Sequence, residues 1–404
     1  MIKRLTICLV LAVLSIPVAQ AQSDDEEVPT ERLIGAENTI KYSVPFLTIA
    51  PDSRAGAMGD AGVATSPDAN SLHWNPAKYS FIEKDMGIAV SYTPWLKNLV
   101  DDIHLAYLTG YKRLDDQQVI SGSLLYFSLG EIIFRNEFGD YSGQHIPNEF
   151  ALDAAYSRKF SPNFSGGVAF RYIRSDIAGG GNRGNIEYKA GNSVAGDVSV
   201  YYRKPGIQVQ DKEMDLALGM NIRNIGAKIS YTEDKKNFIP TTLKLGASAD
   251  FHLDQYNSLM ITADLNKLLV PTPPAYRLDS NGNRVTDSQG NDVILSGMDP
   301  NVSVTQGMLQ SFYDAPGGFK EELHEIKYSV GMEYWYQDVF AVRTGYFHEH
   351  QTKGNRKYFT MGIGLKLNVF QADFAYLIPR FQNHPLANTM RFTLVLDFDA
   401  LNKE

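Results

Sequence analysis

The residues able to do chemistry are scattered along this chain, and their spacing argues against a catalytic centre. His348-Glu349-His350 offers two imidazoles and a carboxylate, ligand types that suit a transition metal, but no further ligand lies nearby in sequence. Gly179, Gly181 and Gly184 have the G-x-G-x-x-G spacing that cradles a pyrophosphate. That role requires a helix to follow, and the pattern here is that of a loop. Gly246-Ala247-Ser248-Ala249-Asp250 lacks the second glycine of a nucleophile elbow and falls in an alternating segment. Asp279, Asn281 and Asn283 alternate as calcium ligands do, yet Arg284 stands at the sixth position and Gly290 at the twelfth. P-loop, H-E-x-x-H and paired C-x-x-C patterns do not occur. The expectation is a protein without catalytic residues, metal or cofactor. Asp153, Arg171, Asp197, Arg223, Glu333 and Arg343 remain; alternation puts them on the inward side of successive segments, where they can pair.

Fourteen short alternating segments carry these groups. They lie near residues 85–94, 103–114, 117–128, 148–160, 163–174, 192–203, 213–224, 240–251, 256–264, 324–336, 339–347, 356–368, 369–378 and 388–399. Every other gap is long: 95–102, 129–147, 175–191, 225–239, 265–323, 348–355 and 379–387. The gaps between are mostly turns, as at Asp115-Asp116, Ser161-Pro162, Gln337-Asp338 and Val369. Long loops on one rim, short turns on the other and an even strand number describe an outer-membrane barrel. In the stretch from Tyr358 to Val369, Phe359, Met361, Ile363, Leu365, Leu367 and Val369 share one face. Tyr358, Thr360, Gly362, Gly364, Lys366 and Asn368 share the other. A slip of one residue would turn Lys366 to lipid, costing about 2–4 kcal/mol near the midplane. Aromatics at segment ends (Tyr92, Trp95, Tyr111, Tyr172, Tyr201, Tyr202, Tyr334, Trp335, Tyr336, Tyr376) read as an interfacial girdle. The expected fold class is all-β: a 14-stranded antiparallel transmembrane β-barrel over 85–399, with an N-terminal plug and long extracellular loops. A soluble secreted β-fold is the alternative.

Residues 1–21 read as a signal peptide: Lys3-Arg4, an apolar run from Leu5 to Val18, then Ala19-Gln20-Ala21. The run is too short to span a bilayer. Cleavage after Ala21 would leave 383 of the 404 residues and remove the only cysteine, Cys8. It would also take the formal charge from −8 to −10, which argues against a nucleic-acid partner. No other apolar run is long enough for a helical span.

Residues 22–47 read as an N-terminal tail, acidic at Asp24 to Glu27, and 400–404 as a C-terminal tail. The stretch 48–84 is rich in Gly and Ala, has no sustained period, and is expected either to fold into the lumen as a plug or to extend into the periplasm. The longest loop, 265–323, repeats DSNGNRVT from Asp279 and DSQGNDVI from Asp287, which reads as a small β-meander. Beyond it, Met308, Leu309, Phe312, Tyr313 and Phe319 form an apolar cluster outside the membrane. These residues either pack onto the barrel mouth or offer a docking surface to another chain.

Two stretches carry a resemblance. Asn75-Pro76-Ala77 resembles the Asn-Pro-Ala element of the FadL family of hydrophobe-transporting, fourteen-stranded barrels. TIAPDSRAGAMGDAGVA from Thr48, with QSFYDAPGGFK from Gln310 and the run to Tyr336, resembles the PorV (LptO) family of the type IX secretion system of Bacteroidota. That resemblance spans nearly the whole mature chain. It implies a multi-pass barrel in the bacterial outer membrane, in contact with its bilayer and lipopolysaccharide. It also implies partners: cargo proteins with a C-terminal secretion domain, taken from the translocon barrel SprA (Sov) and passed to the sortase PorU. Its carry-over is regional, to the loop around Gln310 to Lys320 and to Asn75, Pro76 and Ala77. Two rival readings stand beside it. FadL-type transport of hydrophobic small molecules would need an apolar path through the lumen, where Lys366, Arg391, Asp397 and Asp399 are expected to point. Lipid modification, such as O-deacylation, would need a Ser, His and acid cluster at one rim. Outer-membrane barrels often end on an aromatic residue, whereas six residues follow Phe398 here.

Overall fold

The computed structural model describes residues 37–96, 102–135, 138–177, 179–183, 186–209, 211–233, 235–380 and 386–398. The expected signal peptide with Cys8, residues 22–36 of the expected N-terminal tail, Gly184, Asp399 and the C-terminal tail lie outside these residues. Fourteen strands form one closed antiparallel barrel in which each strand pairs with its sequence neighbour. They are β1 Met86–Pro94, β2 Ile103–Arg113, β3 Gln118–Leu129, β4 Asn148–Ser161, β5 Phe164–Asp176, β6 Gly191–Val209 and β7 Lys212–Gly226. The second half comprises β8 Thr242–His252, β9 Asn257–Leu268, β10 Lys327–Tyr336, β11 Phe340–His348, β12 Lys357–Leu367, β13 Phe370–Pro379 and β14 Met390–Phe398. β14 closes on β1 from Met86↔Phe398 to Tyr92↔Phe392. Closure removes the free edges that an open sheet would present to lipid.

The period-2 pattern sets which side chains meet lipid. In β12, Phe359, Met361, Ile363 and Leu365 are exposed outward, while Tyr358, Thr360, Gly362 and Gly364 are buried inward. The strand ends at Leu367, and the turn is Asn368-Val369, with Asn368 left-handed at φ 51°. Left-handed turn residues match the twist of the strands they join. The β6–β7 hairpin runs longer than the alternation suggests. Pairing continues to Val209↔Lys212 through an irregularity between Lys204 and Ile207, where Gly206 takes φ 72°.

The aromatic girdle is smaller than expected. Tyr92, Tyr202, Tyr334 and Tyr336 are exposed on the outer wall, and Tyr172 and Tyr376 are half-buried there. Tyr111 and Tyr201 are buried on the lumen side, Trp335 lines an inner cavity, and Trp95 packs onto a buried cluster. The physical reason is the pleat itself: adjacent aromatics such as Tyr201 and Tyr202 must point to opposite faces.

The lumen is filled. From Val44 to Ile82 the chain is buried almost throughout, in short helical turns: Pro45–Thr48, α1 Ser53–Ala57, α2 Ser71–Trp74 and Pro76–Phe81. Two more short helices, α3 Val304–Gln310 and α4 Phe319–His324, lie in the longest loop, between β9 and β10. The Asp279 and Asp287 repeats are successive turns. Asp279 Oδ1 accepts from the N–H groups of Asn281 and Asn283, and Asp287 Oδ1 from those of Gln289 and Asn291. Backbone bonds link Arg277, Val285 and Val293 in a ring.

Candidate functional sites in the lumen and the longest loop

Two places concentrate buried polar chemistry. The first is the contact between the luminal segment and the wall. Arg54 on α1 donates to Glu333 on β10 from Nη2 at 2.7 Å and Nε at 3.0 Å, and to Asp68 from Nη1 at 3.0 Å. Arg343 on β11 donates to Glu333 from Nε and to Asp373 on β13 from Nη1, both at 2.6 Å. Asp264 on β9 accepts from the N–H groups of Gly62 and Val63 at 2.7 and 3.0 Å. A second network ties Arg171 to Asp153 at 2.6 Å and Asp197 at 3.2 Å, while Arg223 stands 3.5 Å from Asp197. The inward charges expected to pair are thus together. Arg54, Asp68, Asp264 and Asp373 join them from positions that sequence reading had not singled out.

Asn75 is fully buried. Its amide nitrogen donates to the carbonyls of Val63 at 3.1 Å and Val200 at 3.0 Å, and its Oδ1 accepts from the Ala77 N–H. Pro76 begins the following helical turn, where its missing N–H costs nothing, and the Ala77 carbonyl accepts from Ser165 at 2.7 Å. Glycines on the wall allow the segment's backbone to touch it. A β-carbon on Gly345 would collide with Gly59 N and Met58, and one on Gly331 would stand 2.5 Å from Met58 Cβ. Ser248 of the failed nucleophile pattern donates to the Ala64 carbonyl at 2.7 Å, a structural bond. Burial first, and Asp68 second, push the Asp52 carboxyl up to about 6, against the hydrogen bonds it accepts from Ala55 and Trp74.

The second place is the longest loop. Three carboxylates of α4 and the residue after it point inward and are clamped. Lys267 on β9 meets Glu322 at 2.9 Å and Glu325 at 2.7 Å; Lys353 in the β11–β12 loop meets Glu321 at 2.5 Å and Glu325 at 3.1 Å. Thr272 donates its hydroxyl to Glu325 at 2.6 Å and its N–H to Asp314 at 3.1 Å. Burial, aided by repulsion from Glu322 and Glu325, raises the Asp314 carboxyl to about 7 despite the Thr272 hydrogen bond. With its acids facing in, the loop turns its apolar side chains out. Leu309 is 68% exposed, Tyr313 64%, Phe319 77% and Phe312 48%, while Met308 is half-buried. Phe312, Phe319, Leu323 and Ile326 overhang outward-facing Leu243, Leu245 and Leu265 of the barrel wall, leaving a groove of about 250 Å³.

His348, Glu349 and His350 diverge. His348 stacks on Tyr328 with ring centroids 4.7 Å apart, and His350 on His324 at 3.6 Å. Glu349 binds Lys327 at 2.8 Å and Arg356 at 2.7 Å. Burial alone would raise its carboxyl, but the two cations hold it at about 2. Among the described residues no group of three or more His, Cys, Asp or Glu side chains could hold a metal ion.

A closed fourteen-strand barrel with an apolar outer wall, a charged lumen and long loops on one rim defines an outer-membrane β-barrel protein. The chain belongs to the family of the type IX secretion system protein PorV, whose model matches residues 34–275. It is a multi-pass protein of the bacterial outer membrane. No curated protein matches the chain. Among solved structures it is similar to the toluene transporter TodX of Pseudomonas putida, at 10% identity and TM-score 0.48, over 90% of this chain and 98% of that one. It is similar to a FadL homologue of Pseudomonas aeruginosa at 12% identity and TM-score 0.43, over 90% and 100%. A third likeness is to BamA of Haemophilus ducreyi lacking POTRA domains 1–3, at 9% identity and TM-score 0.34, over 85% and 76%.

Proposed function

We propose that this chain is a non-catalytic carrier of the type IX system, which takes the C-terminal secretion domain of cargo from the translocon SprA and delivers it to the sortase PorU. The observation that carries this reading is the apolar face of Leu309, Phe312, Tyr313 and Phe319, exposed beside half-buried Met308 on a loop whose other face is locked to the barrel. A surface held rigid before contact loses little conformational entropy on binding, and aromatic anchors dominate such interfaces. The exposed edges of a β-rich cargo domain would meet this face and the groove beneath Phe312 and Phe319. Asn75, Pro76 and Ala77 serve as a fastening of the luminal plug rather than as a cargo contact. Uptake of hydrophobic solutes is the weaker reading: residues 44–82 occupy the lumen, and an inner cavity of about 430 Å³ is lined by groups such as Asp250, Glu333, Lys366 and Asp397.

The test replaces Leu309, Phe312, Tyr313 and Phe319 together with serine. The barrel is expected to assemble with unchanged heat-modifiable migration, while cargo stays on the translocon and fails to appear, cleaved, at the surface. Normal cargo display by this variant would refute the loop assignment.

A further inference from the structure

A cavity of about 60 Å³ lies between the luminal segment and the inner faces of β7 to β12. A water molecule needs only about 10–15 Å³ by this measure, so the space suits a small water cluster or one compact polyatomic ion. Its polar lining is unbalanced. Arg223, Lys244, Lys327 and Arg356 face it, against one carboxylate, Asp60. Asp60 Oδ2 accepts from Tyr358 at 2.5 Å, while its Oδ1, 3.3 Å from Arg391, is buried without a hydrogen-bond donor. Lys327 and Arg356 share Glu349.

The other two cations lack full partners. Arg223 donates from Nη1 to His73 Nε2 at 3.2 Å, and its Nε is buried without a hydrogen-bond acceptor. Asp197, its nearest carboxylate at 3.5 Å, is also held by Arg171. Lys244 has no hydrogen-bond or ion-pair partner among the described residues; its ammonium stands 4.7 Å from the centre of the Trp74 ring. Asn266 adds a side-chain amide whose buried Oδ1 receives no donor. An amide turned end for end would offer its NH2 to the same space. His73 cannot supply the missing charge of either sign, because burial and the Arg223, Lys244 and Arg171 cations hold it neutral.

The cavity also has an approach. A second space of about 280 Å³ shares Leu268, Lys327 and Arg356 with it and extends past Thr39, Tyr42 and Lys353 among the long loops. Its lining carries Lys327, Lys353 and Arg356 against Glu325 and Glu349, a small cationic excess that favours an anion.

We propose that this cavity is a binding site for a compact oxyanion, a phosphate or a carboxylate group, held by Lys244 and Arg223 with Asn266 as a further donor and entered from the loop rim. The site is independent of the cargo face, which lies on the outside of the wall. It is tested on the purified full chain in detergent, by titration calorimetry with inorganic phosphate and, separately, with acetate, at ionic strength fixed with chloride. Saturable binding of one or both probes is expected, and the preferred probe tells phosphate from carboxylate. Lys244→Met should weaken binding at least tenfold, Lys244→Arg should restore most of it, and Lys366→Met, in the opposite half of the lumen, should leave it unchanged. Asn266→Leu serves as a second variant, expected to weaken binding several-fold, should Lys244→Met fail to assemble. Absence of saturable binding of both probes to the unaltered chain would overturn the proposal, as would binding that none of the Lys244 or Asn266 replacements changes.

Discussion

Glu333 is the carboxylate shared by Arg54 of the luminal segment and Arg343 of the wall, so Glu333→Gln tests what holds the segment in place. All three side chains are at most 8% exposed. Removing one partner of a buried ion pair costs about 3–5 kcal/mol, because the opposite charge stays buried. Glutamine keeps the shape and one acceptor oxygen, and Arg343 retains Asp373, so the low end, about 3 kcal/mol, applies. At 1.4 kcal/mol per factor of ten, the released population of the segment should rise about 100-fold. Arg54→Met leaves Glu333 paired with Arg343, and Asp68 is 20% exposed and can be hydrated, so the rise should be smaller, about tenfold. The reporter is Ser80→Cys. Ser80 is 4% exposed and its hydroxyl has no hydrogen-bond partner, so a thiol there disturbs little. The natural cysteine, Cys8, belongs to the expected leader. Alkylation rates in outer-membrane vesicles then read the exposed fraction directly. Labelling of Glu333→Gln at the unaltered rate, or slower than Arg54→Met, would refute the reasoning.

Asn75→Ala removes the donor to two buried carbonyls and the acceptor for the Ala77 N–H, and should cost about 2–4 kcal/mol in denaturant unfolding. Gly345→Val should yield a barrel that still migrates as folded while the Ser80→Cys reporter labels as a free thiol, because the new side chain occupies the place of Gly59 and Met58. Asp314 has a raised pKa, so its stabilising contribution is complete below the ordinary carboxylate value of 3.8 and is lost as pH rises through about 7. Proteolysis of the β9–β10 loop should therefore speed up between about pH 4 and 7 and change little above that, and Asp314→Asn should abolish that dependence. Glu349 has the opposite sign: its contribution is present above 4.5 and fades as pH falls toward about 2, so acid should loosen the β11–β12 loop in hydrogen exchange.

The wall was legible because period 2 is written into each strand separately. Phe359, Met361, Ile363 and Leu365 declare the lipid side of β12 without help from any other strand. The same logic separates Tyr201 from Tyr202, which the pleat sends to opposite faces, so of the two only Tyr202 belongs to the girdle. The β6–β7 extension escaped notice because Gly206 and the irregularity beside it break the alternation where pairing continues. The candidate sites were legible only in part. Arg54 lies in a stretch without period, and its partner Glu333 is 279 residues away, a distance no local pattern spans. In the longest loop the apolar residues are plain in the sequence, while the acids that orient them act through Lys267 and Lys353, far away along the chain. Glu321, Glu322 and Glu325 recur at helical spacing, a signal that the inner face of α4 is charged.

The path of the luminal segment bears on how the molecule can be built. Asn38 bonds to Thr352 and Pro273, and Ser43 to Phe238, all in loops of the long rim. The chain then runs the height of the cylinder to Phe81 and starts β1 at the opposite rim. A finished, hydrogen-bonded cylinder with a packed interior offers no room to feed a peptide through. In the finished molecule the wall closes around this thread, as a cord is wound on its own core.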